Sequence, residues 1–264
     1  MRLSKILLEA LNGPLRKWAN TPIIDLVAGK KYSIVLLSGG WCGIAYSPPP
    51  QKSQYRISGY VTLRELARAA DRDAILRSLA LAGLNAVTSL WIYYTSGLKI
   101  IAETRLTKFI EDKCDKRGEA LLVGFMKSTA EELRKLGFKV WVLEADRELR
   151  RSALEKGFPV ITSPTEIVNN VDVVVVSGSS LILDPENTVN YFNQASSACI
   201  KSLVGPSSSF HPLIAKRLGV TLLGGIFIHP SLCWRIRSLV AQGYGYRSLS
   251  RAGKIVKWFM EIES

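Results

Sequence analysis

Val173 to Val176 has no polar position, and the chain breaks from it straight into Ser177-Gly178-Ser179-Ser180. A strand that is apolar on both sides belongs inside a sheet covered on both faces, usually a parallel one. Similar short apolar runs recur through the second part of the chain, alternating with stretches of helical periodicity. The pattern predicts strands at Ala120–Phe125, Lys139–Glu144, Pro159–Ile161, Asp172–Val176, Ile200–Val204 and Thr221–Ile228. Helices are predicted between them at Ala130–Leu136, Arg147–Glu155, Thr165–Asn169, Pro185–Ala195, Pro212–Leu218 and Pro230–Ala241. Such alternation is the mark of a doubly wound α/β fold.

The first part reads differently. A helix at Leu3–Leu11 ends in Asn12-Gly13-Pro14, and three short β segments follow at Ile23–Ala28, Tyr32–Leu37 and Trp41–Tyr46. The turns "GKK" and "SGG" separate them. "SPPPQKSQ" is a loop, since consecutive prolines exclude helix and central strand. Thr62 with Glu65 reads as a capping box, and Asp71-Arg72-Asp73 opens a longer helix. A meander followed by helices is α+β, so the fold expected is a smaller α+β domain over residues 1–104 and an α/β domain over 105–264. The boundary falls between Ser96 and Thr107, with Leu106–Lys116 as a helix leading into the sheet.

Composition narrows the class. The 264 residues are 47% apolar and 22% charged, ordinary for a globular chain. The most apolar segment, "AILRSLALAGLNAVTSLWIYY", contains Arg77 and Asn85 and reads as a buried helix rather than a membrane span. The N-terminus lacks the continuous apolar core of a signal peptide, so a cytoplasmic protein without a membrane partner is expected. Four cysteines and two histidines are scattered with no paired ligand spacing, so the cysteines read as small buried hydrophobes. His229 and Cys233, four apart, are the one pair that could face a metal together, although two ligands alone do not make a site.

The net charge is +13, and no Asp or Glu occurs between Asn187 and Met260. A cleft walled by this stretch is expected to be electropositive and to favour an anion. Its tail interleaves Trp234, Tyr244, Tyr246 and Trp258 with basic residues, but several of these aromatics fall at core spacing. Nucleic acid is therefore disfavoured as a partner, with only weak, salt-sensitive binding expected.

In a parallel sheet, ligands bind beyond the carboxyl ends of the strands. That edge carries Gly124, Phe125 and Lys127, then Glu144 and Asp146, then Ser177, Gly178, Ser179 and Ser180, and finally Gly205, Pro206, Ser207 and Ser208. "GPSSSF" has no acidic cap and is the best cradle for a carboxylate or phosphate. Ser128 with Glu131 reads as a capping box, and Asp184 before Pro185 as an N-cap. The turn "VGFMKSTAEEL" has one glycine where a dinucleotide fingerprint needs three, and no P-loop is present. Glu144 alone sits where a ribose-binding acid would. A Ser179–His–Asp146 nucleophile lacks a GxSxG elbow. Asn85, an amide on an almost wholly apolar helix, either ties down a neighbouring loop or faces the cleft. No cofactor follows from any of these motifs.

"GWCGIAYSPP", "LRSLALAGLNAV", "LLVGF", "VVVVSGSSL", "LVGPSSSFHPLIAKRLGVTLLGGIFI" and "GKIVKWF" occur in this order. Together they resemble the putative heavy-metal chelation family, across nearly the whole chain. The resemblance implies an enolase-N-terminal-like α+β domain, a Rossmann-like domain and a cleft between them. It places family features on Gly43, Tyr46, Asn85, Gly124, Ser177-Gly178-Ser179, Gly205-Pro206-Ser207 and Gly224. The chain departs from it at "LILDPENT" and at His229. The expected function is binding of an anionic small molecule or a metal complex, with Lys127 as a counter-charge. An enzyme acting on a nucleotide-like or amino-acid-derived substrate is the alternative, binding of nucleic acid or an acidic partner through the basic C-terminal region is a second, and a homo-oligomer stays open.

Overall fold

The computed structural model describes residues 2–49, 61–95, 101–102, 105–115, 117–163, 168–253 and 255–263. Helix α1 (Leu3–Asn12) buries Leu3, Ile6, Leu7, Ala10 and Leu11 on one face. An antiparallel sheet of β1 (Ile23–Ala28), β2 (Tyr32–Leu37) and β3 (Cys42–Tyr46) follows, with β2 in the middle. Helix α2 (Leu63–Ala69) starts at the expected capping box: the Glu65 amide donates to the Thr62 hydroxyl, and the Thr62 amide donates to the Glu65 carboxylate. Helix α3 (Ala74–Tyr94) is capped by Asp73, which accepts from the Ile75 and Leu76 amides. By length and composition α3 could cross a membrane. Instead it is buried without interruption from Ser78 to Leu90 and lies against β2 and β3.

The second sheet is formed by β4 (Ile101–Ala102), β5 (Glu119–Val123), β6 (Lys139–Leu143), β7 (Val160–Ile161), β8 (Val173–Ser177), β9 (Ile200–Val204), β10 (Leu222–Phe227) and β11 (Val256–Glu261). Its order is β4-β11-β10-β9-β8-β5-β6-β7. The run from β7 to β10 is parallel throughout, whereas β11 and β4 pair antiparallel at one end. Taken from β5, the six parallel strands have the 3-2-1-4-5-6 order of the Rossmann fold. The helices of this half are α4 (Leu106–Lys113), α5 (Lys127–Lys135), α6 (Arg147–Glu155), α7 (Ser180–Leu183), α8 (Pro185–Gln194), α9 (Pro212–Arg217), α10 (Cys233–Ala241) and α11 (Tyr246–Gly253).

Three apolar clusters hold the layers. One runs from α1–α3 through Val174, Val176 and Leu121 to Phe192 and Ile214, so the two sheets share a continuous core. The second covers the opposite face of the large sheet with Phe109, Ala130, Leu133 and Ala153. The third packs Ile34, Leu36 and Ile44, on the far side of the small sheet, against Ile236 and Val240 of α10. The all-valine strand β8 is accordingly buried on both faces, which explains the absence of polar alternation in its sequence.

Four details correct the sequence reading. The Ser128–Glu131 capping box does not form: α5 starts two residues earlier, Met126 gives no side-chain cap, and Glu131 pairs with Lys127 at 3.9 Å. The tail around Val256–Phe259 is a strand of the sheet, zipped onto β10 because its alternate residues suit opposite faces. Tyr246–Gly253 is a helix. The four cysteines are not free hydrophobes: Cys42 is joined to Cys233 and Cys114 to Cys199. Disulfides persist in oxidising compartments and in the cells of hyperthermophiles. The expected helix over 165–169, the 47–54 loop and the 96–107 boundary fall largely on residues outside those described.

Candidate functional site

From β5 the chain winds to β6 and β7 on one side and then returns to β8, β9 and β10 on the other. The two directions part between β5 and β8, and beyond their carboxyl ends the covering helices diverge and leave a crevice. Two turns shape it. Gly124 ends β5 at φ +87°, a left-handed conformation, and an added Cβ would lie 3.0 Å from the Ser177 Cβ. Ser177 and Ser179 face each other at 2.9 Å between their hydroxyls. The Gly178 amide donates to Val204 at 2.8 Å. An added Cβ on Gly178 would press on the Ser208 amide, so the turns after β8 and β9 touch here.

The crevice is a cavity of about 540 Å³ bordered by Gly124, Glu144, Asp146, Leu149, Arg150, Thr162, Ser179, Ser180, Asp184, Thr188 and Tyr191, with Tyr46 reaching in from β3. A wider groove of about 680 Å³ between α1 and α9 is a shallow surface depression, with Arg2, Lys5, Glu9 and Arg217 on its rim. The carboxylates of the crevice are held in place by backbone donors. Glu144 accepts from the Phe125 amide at 2.7 Å and from the Asp146 amide at 2.8 Å. Asp146 caps α6 through the Glu148 and Leu149 amides, and Asp184 caps α8 through Asn187. Burial raises the Tyr46 phenol above its ordinary pKa, and Asp146 and Glu144 raise it further. Tyr191 is raised by burial and then by Asp184. Both phenols therefore stay protonated hydrogen-bond donors at neutral pH.

The residues singled out from sequence divide into two groups. Gly124, Glu144, Ser179 and Ser180 border the crevice, Ser177 and Gly178 form its turn, and Phe125 binds Glu144. The second group is occupied elsewhere. Ser207, Ser208 and Ser209 are buried. Ser207 accepts from the Tyr46 amide at 2.8 Å, Ser208 donates to the Gly205 and Gly224 carbonyls, and Ser209 donates to the Pro206 carbonyl. Ser208 and Ser209 thus commit their protons to backbone carbonyls, and Ser207 is buried beneath the Tyr46 amide. Asn85 ties the Ile44 carbonyl at 2.9 Å to the Pro206 carbonyl at 3.0 Å, a clamp between the two halves. Gly205 and Pro206 border a separate hollow, and Lys127 is exposed beside Glu131.

The histidines and the metal pair are also placed. His211 stacks on Trp91 at 4.2 Å and caps α9, accepting from the Leu213 amide. Burial lowers its pKa to about 4. His229 contacts Ser231 at 2.8 Å. Neither histidine borders the crevice, so Ser179 has no imidazole base there among the described residues. Cys233 is tied to Cys42 and has no thiolate to offer, which removes the His229–Cys233 metal pair. Among the described residues no three His, Cys, Asp or Glu side chains cluster to hold a metal ion. A metal held by protein ligands alone does not fit this donor set. In the basic tail Trp258 is buried and Tyr246 partly so, while Trp234 and Tyr244 are exposed.

Sequence reasoning overlooked Tyr191, Arg150, Thr162 and Leu149. Asp146, Leu149 and Arg150 share the first turn of α6, and their position just past β6 is the signal that could have found them.

Strand order defines an α/β protein of the Rossmann class with a crevice at the topological switch point. The family described as "Putative heavy-metal chelation" (DUF364) matches residues 108–259, and the chain belongs to it. A second pattern with the same description (DUF4213) matches residues 15–88. An uncharacterised protein of Methanocaldococcus jannaschii is 26% identical over 275 residues, covering 100% of this chain and 99% of its own. A DUF364 protein of unknown function from Pyrococcus horikoshii has a similar crystal structure, with TM-score 0.79, 22% identity, and coverage of 99% of this chain and 100% of that one. Another from Desulfitobacterium hafniense gives TM-score 0.71 at 16% identity, covering 97% and 98% of the two chains.

Proposed function

We propose that the protein binds a small molecule rich in hydroxyl or amine groups in the switch-point crevice, either free or as a complex with a metal. The observation that carries this reading is the lining charge: Glu144, Asp146 and Asp184 stand against Arg150 alone. Carboxylates accept hydrogen bonds and repel anions, so this crevice favours a neutral or cationic ligand over the anionic one expected from sequence. The Phe125 amide, which would meet a phosphate in a dinucleotide site, is already held by Glu144. A metal would arrive with ligands of its own, since the described residues offer no cluster for a bare ion.

Native mass spectrometry of freshly purified protein tests this reading. A non-covalent adduct is expected, released on denaturation and absent from Leu149→Trp, which fills the crevice from a position 43% exposed and so spares the fold. Protein free of any adduct, or an adduct unchanged in that variant, would count against it.

A further inference from the structure

The acid-free stretch walls a different cavity. On the face of the large sheet that carries α4 and α5, a hollow of about 350 Å³ lies over β9, β10 and β11. Its existence follows from glycine. Gly224 and Gly225, paired with Phe259 and Trp258, let those rings lie directly on β10, on opposite faces of the sheet. Beside them Gly205 turns at φ +114°, and an added Cβ there would meet no atom within 4 Å. The Phe259 and Trp258 rings thus lie against the glycine backbone, and Leu106 and Met126 add apolar walls.

The polar side chains that border it are one cation and three hydroxyl-bearing residues. Lys257 is exposed and stands 6.0 Å from the Tyr246 ring centroid. No carboxylate among the described residues lies within ion-pair distance of it. The Tyr246 ring borders the cavity, but its hydroxyl is enclosed in the protein, where Ser250 approaches it, and has no surface at the cavity. Ser128 and Thr129 bring the first turn of α5, which has no side-chain cap, to the same rim. Among the described lining residues none is acidic.

We infer that this second cavity is a binding site for a small carboxylate with an apolar body, its carboxyl group at Lys257 and its apolar part against Met126 and Phe259. Its size suits about ten non-hydrogen atoms, for which a Kd of about 1 mM or tighter is reasonable. The inference is independent of the switch-point crevice, which lies on the other side of the β5–α5 turn and has the opposite charge.

Phenylacetate is the probe, with its uncharged amide as the control, followed by calorimetry or ligand-observed NMR on the full chain. Saturable binding of phenylacetate is expected, weaker for phenylacetamide. Lys257→Glu, at an exposed position, should weaken phenylacetate by about tenfold or more while leaving the amide unchanged, because one charge-assisted hydrogen bond is lost. Tyr246→Phe, which removes only an enclosed hydroxyl, should leave it nearly unaltered. Leu149→Trp, which fills the other crevice, should leave it unaltered. Absence of saturation up to about 10 mM, or equal affinity in wild type and Lys257→Glu, would overturn the assignment, as would loss of binding in Leu149→Trp.

Discussion

Two serine turns follow neighbouring strands of one sheet and touch at Gly178, yet they have opposite uses. "SGSS" after β8 keeps its hydroxyls at the crevice, where Ser177 and Ser179 bond only to each other among side chains. "GPSSS" after β9 sends each of its hydroxyls into the backbone of the surrounding fold. The difference comes from what lies above each turn. β3 and α3 press on the second through Tyr46 and Asn85, whereas the first faces the gap where the helices diverge. Similar sequences at equivalent strand ends are therefore assigned to structure or ligand by their cover.

The comparison can be broken in order of expected effect. Asn85→Ala removes the clamp on the second turn, leaves the buried Ile44 carbonyl without its side-chain donor and opens a cavity. It should cost about 3 to 4 kcal/mol in denaturant unfolding. A loss below about 1 kcal/mol would show that the second turn is not held by the first half of the chain.

His211 ends the same rigid segment and gives it a pH dependence. Its folded pKa of about 4 lies below the ordinary value of 6.5, because burial disfavours the charged ring. The stability it contributes is complete above about pH 6.5 and is lost as pH falls toward 4. Over that window the loss should be about 3 kcal/mol. Protonating Nδ1 also removes the acceptor that caps α9. His211→Asn keeps a capping acceptor and should flatten the profile between pH 4 and 6.5. An unchanged slope would place the dependence on other groups.

Smaller effects separate the turns directly. Ser208→Ala removes the side-chain donor to the Gly205 and Gly224 carbonyls and should cost about 1 to 2 kcal/mol. Ser180→Ala, at the crevice, should change stability by less than about 0.5 kcal/mol while weakening the native adduct. Equal costs for the two substitutions would erase the distinction.

Much of this arrangement was legible in the sequence, but not who bonds to whom. The doubly apolar β8, the Thr62 capping box and the Asp184–Pro185 helix start are local signals, and each produced the expected element. The doubly wound parallel sheet followed from alternation of strand and helix, whereas its strand order is visible only in the fold. By contrast, the disulfide partners are 191 and 85 residues apart, so no spacing rule could pair them. The fate of "GPSSS" was hidden for the same reason: Tyr46 lies 161 residues from Ser207 and Asn85 121 from Pro206. The charge of the two cavities inverts the simple reading as well. The acid-free stretch walls the hollow at Lys257, while the switch point collects helix-capping carboxylates from β6–α6 and α7–α8.

The most direct test of the account is the identity of the molecule that leaves the freshly purified protein on denaturation, compared between wild type and Leu149→Trp. The account predicts a neutral or cationic species carrying hydroxyl or amine groups, with or without a metal, present in wild type and missing from the variant. A phosphate or carboxylate anion that Leu149→Trp displaces would contradict it, because the crevice would then hold the charge its own carboxylates should repel.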